Sequence, residues 1–375
     1  MQHENKIQKS KTTIIPNQVQ TRTPKNNPNS ELLTKTLSNS SFTCNKPNGI
    51  FFLKAHKCAS TTIQNILLRY GMKNYDSLAL PKADNTYIGY FGESYRDKIM
   101  PEVKTVNGKY QLFSYHTRYN RTDAKDIMAN GTLYITILRE PLSLYKSMYK
   151  YYRLDKTYNL TFKQFSGLSN EQKNKFPRLY GKFGRNQMLF DLGLSSDKFD
   201  DLNSVVNYIR VIHENFHLVM IAERLEESLL LLKTLLCCDT DDITSFKCNS
   251  RNNQEKEEPL TVEEIINLKN WLKADYMLYD YFSEKLERSL LNFNPGFLYE
   301  EISKLRYRNK YWFQRCVETI TGWENLIPRY RPFGRSTLGF KLKEEAMHEN
   351  QCVYMALPEI QFTKDLKIAA KMRIS

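Results

Sequence analysis

Glycine is sparse in this chain, 14 in 375 residues, and none lies in the run from Lys54 to Thr62. That run is therefore not a G-x-x-x-x-G-K-[ST] loop, whose glycines let the backbone wrap a triphosphate. A nucleotide-binding or kinase-like protein, which needs a Walker lysine and metal-binding acids, is disfavoured with it. Cysteine is limited to 7 positions, with no CxxC and no Cys/His spacing suited to zinc, so no metal site is expected. Long apolar runs are missing from the first 48 residues, so neither a signal peptide nor a membrane anchor is read there. A basic face is missing too. The net charge is +14, but residues 1–45 and 301–375 supply most of it, and the stretch between them holds 35 basic against 31 acidic side chains. A nucleic-acid-binding module is disfavoured by that balance, whereas a small anionic ligand is compatible with it.

Aromatic and aliphatic residues are plentiful, with 41% hydrophobic and 13% aromatic content, enough for a sizeable core. Residues 1–45, rich in Lys, Asn, Thr, Ser and Gln with Pro16, Pro24 and Pro28 among them, read as a disordered polar stem or leader. Residues 46–375 read as a single domain. Gly49 to Leu53 is a continuous apolar run suited to a buried parallel strand, and Thr61 to Tyr70 carries apolar residues at helical spacing until Gly71, expected to stop it. The unit repeats: a β-type run from Thr132 to Leu138 leads through Pro141 into a helix reaching Tyr152. A third run, Leu218 to Ala222, leads into a helix from Leu225 to Leu236. Further helices are expected from Thr261 to about Leu291 and from about Tyr299 to Thr319. Three strand-to-helix units imply an α/β fold, a central parallel sheet flanked by helices, with its ligand at the carboxyl ends of the strands.

The loops at those ends carry the polar residues. Lys57, Ser60, Thr61 and Thr62 stand where a helix begins, and backbone N–H groups and the helix dipole favour an anion there. Arg139 stands at the next strand end with Ser147 two helical turns on, a second place for a phosphate that arginine grips bidentately. A donor with phosphates at both ends of one nucleoside needs two such sites, a description that fits PAPS, 3′-phosphoadenosine 5′-phosphosulfate.

The words FLKAHKCASTTIQNIL (from Phe52), HTRYNR (from His116), NGTLYITILREPLSLYKSMYKYY (from Asn130) and RNQMLFDLG (from Arg185) resemble the galactose 3-O-sulfotransferases. So does PFGRSTLGFKLK (from Pro332), in the same order along the chain. The resemblance implies a sulfotransferase-type, P-loop-like fold and PAPS as sulfuryl donor. It implies Lys57, Ser60, Thr61 and Thr62 around the 5′-phosphosulfate, and Arg139 and Ser147 around the 3′-phosphate. The acceptor it implies is the 3-hydroxyl of a terminal β-galactose on a glycolipid, such as galactosylceramide, or on a glycoprotein glycan; another sugar acceptor is the alternative. Ala55 and Cys58 stand where the family usually carries threonines, so hydroxyl contacts at those points are lost.

Sulfuryl transfer needs a base for the acceptor hydroxyl and a cation for the departing oxygen. Lys57 is the expected cation and His116 the expected base, with His56 in reserve. Arg118 is a candidate to orient the acceptor or a phosphate, and Asn186 and Asp191 are candidates to face the acceptor. Glu223 and Arg224 are expected to form a structural ion pair. Tyr151, Tyr152 and Trp312 are candidates to stack on sugar. In an oxidising lumen, Cys237 or Cys238 would bridge to Cys248 and Cys316 to Cys352. Sequons at Asn39, Asn120, Asn130 and Asn159 and the family resemblance point to the Golgi lumen or membrane, although no anchor is read.

Overall fold

The computed structural model describes residues 44–90, 92–246, 258–335 and 337–372. Nearly all of the expected leader lies outside the described residues, as do Asn39 and Cys248. Its last two residues, Cys44 and Asn45, lie against Cys237, which forms a disulfide with Cys44.

Four parallel strands form the central sheet: β1 (Gly49–Leu53), β2 (Leu112–Phe113), β3 (Thr132–Leu138) and β4 (Leu218–Ile221), in the order β2-β1-β3-β4. Strands β1, β2 and β4 are buried throughout, and β3 everywhere except Tyr134, which is why they read as unbroken apolar runs instead of alternating ones. Two residues of β2 leave almost no periodicity, so the sequence shows only an apolar patch there.

The helices follow from local signals. After β1 comes α1 (Ser60–Asn74), which runs through Gly71. The glycine is there for contact, since a β-carbon on it would come within 2.4 Å of the Leu112 side chain of β2. After β3, Glu140 caps the amide groups of Leu142 and Ser143 and Pro141 opens α2 (Pro141–Tyr151), where its missing N–H costs nothing. The short α3 (Gln187–Asp191) and α4 (Leu202–Asn215) precede β4, and α5 (Leu225–Leu236) follows it. The long helix expected over 261–291 is two, α6 (Val262–Trp271) and α7 (Lys273–Leu290), broken at Leu272. Then α8 (Pro295–Cys316) starts earlier than expected because Asn294 caps it and Pro295 takes its first position.

An antiparallel pair, β5 (Val317–Thr321) with β6 (Gly339–Leu342), is bracketed by the disulfide Cys316–Cys352, which joins the end of α8 to α9 (Asn350–Ala356). The last helix, α10 (Glu359–Met372), packs against α1. The expected Cys316–Cys352 bridge is present, but Cys237 takes Cys44 as its partner and Cys238 is a free thiol. No helix among the described residues is long and apolar enough to cross a membrane.

Candidate active site

The strand order sets the place of the site. From β1 the chain moves outward to β2 on one side, and from β3 outward to β4 on the other. The connections thus diverge above β1 and β3, which opens a crevice at their carboxyl ends. A cleft of about 1210 Å³ lies there, lined by the loop after β1, the start of α2, His116, the segment from Trp323 to Phe340 and the start of α10.

The loop after β1 is wound unusually tightly. Lys57 and Ala59 have φ of 60° and 58°, a region that costs side chains other than glycine about 1–3 kcal/mol and persists where surroundings over-determine it. The Ser60 hydroxyl donates to the Ala55 carbonyl at 2.6 Å and the Cys58 thiol to the His56 carbonyl at 3.3 Å. Burial pushes the Cys58 thiol well above its ordinary range, so it serves as packing and not as a nucleophile. No side chain caps the start of α1, which leaves its first N–H groups without a side-chain acceptor, the condition for an anion cradle. Ser60, Thr61 and Thr62 all line it, although the Ser60 hydroxyl is turned back into the loop.

Lys57 extends over the ring of Tyr151, its Nζ 3.7 Å from the ring centre. Arg139 donates from Nη1 to the Lys57 carbonyl at 3.1 Å, and its Nε is 4.0 Å from Glu223. Ser147 lies on the face of α2 that lines the cleft, with Ser143, Lys146 and Lys150 beside it. Those three were not singled out from sequence. Ser143 stands four residues before Ser147, Lys150 three after it and Lys146 three after Ser143, and these helical spacings were the signal available.

His116 and His56 stack face to face, ring centres 4.1 Å apart and planes 9° from parallel. The two rings are held differently. His116 Nδ1 lies 2.6 Å from the Lys54 carbonyl; a carbonyl only accepts, so Nδ1 carries the hydrogen and Nε2 of the neutral ring keeps its lone pair. Burial first, then the neighbouring His56 and Lys54, hold the His116 pKa well below the usual 6.5, so the ring is neutral at neutral pH. His56 is buried, with Nδ1 on Asp191 at 2.9 Å and Nε2 on the Tyr87 hydroxyl at 3.1 Å. Both its nitrogens are engaged, which leaves none for a substrate. Of the two candidate bases, His116 has the suitable geometry.

Several expectations are corrected. Asp191 faces inward, fully buried under His56, and Asn186 is buried with its Oδ1 accepting from the Asp275 amide; neither lines the cleft. Arg118 donates to the carbonyls of Phe190 and Gly193 and covers the Phe190 ring, and it does not line the cleft. Glu223 and Arg224 belong to separate networks: Glu223 accepts from the Glu140 amide and Tyr279 and faces Arg139, whereas Arg224 pairs with Glu227 and Glu287. Trp312 donates to Asp241 away from the cleft. Tyr151 and Tyr152 line the cleft. Among the described residues no group of three His, Cys, Asp or Glu side chains is placed to hold a metal ion.

The galactose-3-O-sulfotransferase family model matches residues 12–370. The chain belongs to the galactose-3-O-sulfotransferase family. Among its relatives, galactosylceramide sulfotransferase of Mus musculus is 29% identical over 357 residues, covering 90% of this chain and 82% of that protein. Galactose-3-O-sulfotransferase 2 of Mus musculus is 30% identical over 331 residues, covering 83% and 82%. Galactose-3-O-sulfotransferase 3 of Homo sapiens is 27% identical over 347 residues, covering 86% of this chain and 78% of that protein. Family membership implies a sulfonate donor; Lys57, Arg139 and the residues at the uncapped start of α1 line one cleft.

Proposed function

We propose that this protein transfers a sulfuryl group from PAPS to the 3-hydroxyl of a terminal β-galactose, on a galactosylceramide-like glycolipid or a glycoprotein glycan. The observation that carries the reading is the presence, in one cleft, of an unprotonated His116 Nε2, the Lys57 ammonium and the uncapped start of α1. Lys57, Ser60, Thr61 and Thr62 would hold the 5′-phosphosulfate, and Arg139 with Ser147 the 3′-phosphate. PAPS supplies the sulfuryl group and, as its leaving group, the nucleoside bisphosphate.

His116 takes the hydroxyl proton on Nε2 as the acceptor oxygen closes on sulfur. Lys57 meets the negative charge that gathers on the bridging oxygen as its bond to sulfur breaks. The electron pair of the broken bond stays on that oxygen, so charge and protons balance without a redox step. The α1 start and Arg139 hold both ends of the nucleotide, which fixes the line of displacement.

We place the protein in the Golgi lumen or at its membrane. Two disulfides favour an oxidising compartment, and Asn120, Asn130 and Asn159 of the sequons are exposed.

The test is transfer of labelled sulfate from PAPS to a terminal β-galactoside by the native protein and by folded Lys57→Ala, Arg139→Ala and His116→Ala variants. Loss in all three supports the assignment. PAPS binding without transfer points to another acceptor, and absence of PAPS binding overturns the reading.

A further inference from the structure

We infer that Asp191 is the positioning residue of the transfer base, acting on His116 through His56; the inference rests on the reading of His116 as the base. Asp191 closes α3 and is wholly buried. Its carboxylate receives the His56 backbone N–H at 2.9 Å, His56 Nδ1 at 2.9 Å, the Tyr90 hydroxyl at 2.8 Å and Gln187 Nε2 at 2.8 Å. An ionised carboxylate only accepts, so Nδ1 of His56 is the protonated nitrogen, and the Tyr87 hydroxyl completes the grip at Nε2. The imidazole of His56 is thereby fixed at both of its nitrogens, and its backbone N–H is held by the same carboxylate.

That fixed ring is the plate on which His116 lies. The base has one hydrogen bond of its own, to the Lys54 carbonyl, which leaves it free to swing about that contact. The parallel His56 ring at 4.1 Å and Tyr87, stacked at 5.3 Å, remove that freedom. Burying a carboxylate costs several kcal/mol unless donors satisfy it, and two of the four donors here belong to His56. Packing alone would be served by an apolar side chain. The charged and titratable groups around the two rings are Lys54, Lys57, Tyr87, Tyr90 and Asp191, with Glu359 reaching them through Lys54. Asp191 is the acid that bonds to an imidazole nitrogen of the pair.

The test uses the full-length chain, with Asp191→Asn as the variant. In the folded variant kcat is expected to fall roughly 10- to 100-fold, a share of the 10²–10⁴ that a general base contributes, with KM for PAPS within about twofold of native. The acid limb of the kcat profile is expected to move as well, which a purely structural role would not cause. A folded Asp191→Asn enzyme with native kcat and an unmoved acid limb overturns the inference. Nitrogen-15 spectra of the histidines in the native protein provide a readout independent of activity and of the variant's folding. His56 protonated at Nδ1 and His116 bare at Nε2 near pH 7 support it, and His56 protonated at Nε2 alone overturns it. Full kcat in His116→Ala removes the base assignment itself, a failure separable from that of Asp191.

Discussion

The Arg139 guanidinium donates to the backbone carbonyl of Lys57 at 3.1 Å, which ties the loop after β1 to the start of the helix after β3. One residue thus serves two ends of the proposed donor site: it braces the strained Lys57 and presents its remaining N–H groups to the cleft. Replacing it by alanine is expected to weaken binding of the nucleoside bisphosphate by roughly 10- to 100-fold, the loss of a charge-assisted contact worth about 1.5–3 kcal/mol. Arg139→Lys recovers only part of this, because an ammonium cannot both reach the Lys57 carbonyl and grip a phosphate bidentately. Titration calorimetry with the bisphosphate product measures both, and equal affinity in Arg139→Lys and native protein contradicts the bracing role.

The second prediction concerns pH. His116 must be neutral to accept a proton, and its pKa is held well below 6.5 by burial and by its neighbours. Activity is therefore expected to persist as pH falls through 6.5, with the acid limb of kcat lying below that value. The sign for stability follows from the same shift. The unfolded chain takes up a proton at this histidine near 6.5 and the folded one does not, so its contribution is intact above that pH and stability is lost as pH falls below it. His213, its pKa depressed to about 4 by burial and then by Lys285 and Arg288, adds a loss in the same direction between about 6.5 and about 4. Rate profiles in native enzyme, with denaturant melts of His213→Asn against native protein, separate the two; an acid limb at or above 6.5 contradicts the first.

The sheet was legible in the sequence because its strands are buried on both faces and written as continuous β-type runs. Gly49–Leu53 and Thr132–Leu138 match the expected bounds, and Leu218–Ile221 is one residue shorter. The two-residue β2 was not legible, having no room for a period. Gly71 misled because a glycine in a helix reads as a stop, whereas its role is to let Leu112 approach. In the site, Lys57 and Arg139 were reachable because each follows a strand that the sequence announces, Ser147 because it lies two helical turns beyond Arg139 on α2, and His116 because it opens the word HTRYNR. Glu359 and Trp323 line the same cleft from more than 170 residues away along the chain from Arg139, a convergence that no local pattern encodes. Asp191 lay in a recognisable word, but whether a carboxylate faces a ligand or a buried histidine is decided by packing.

The third prediction follows from the Cys316–Cys352 bridge. It closes a loop with a sequence separation of 36 that contains β5, β6 and the cleft-lining residues Trp323 and Arg331. Within this loop Arg331 lies over Trp323, 4.1 Å from the ring centre. The double variant Cys316→Ser/Cys352→Ser is expected to lose about 2–4 kcal/mol of stability from the loop entropy restored to the unfolded chain. Bisphosphate affinity is expected to fall alongside, because the strap forms one wall of the cleft. Denaturant melts and calorimetry on the same preparation test both, and an unchanged midpoint rules out the bridge as a stabilising element.

The last prediction concerns the start of α10, which also lines the cleft. Lys54 follows β1 directly, at 1% exposure, and pairs with Glu359 at the start of α10, so the pair pins the C-terminal helix to the loop that carries Lys57. An ion pair taken out of water recovers its desolvation cost only while both partners are present. Glu359→Gln is therefore expected to destabilise by roughly 3–5 kcal/mol, and the double variant Lys54→Met/Glu359→Gln by clearly less than the sum of the single changes. A double-mutant cycle in denaturant measures that coupling. Strict additivity would mean that Lys54 draws its compensation from other groups of the cleft, and Lys54 would then belong with Lys57 among the cations that meet the donor.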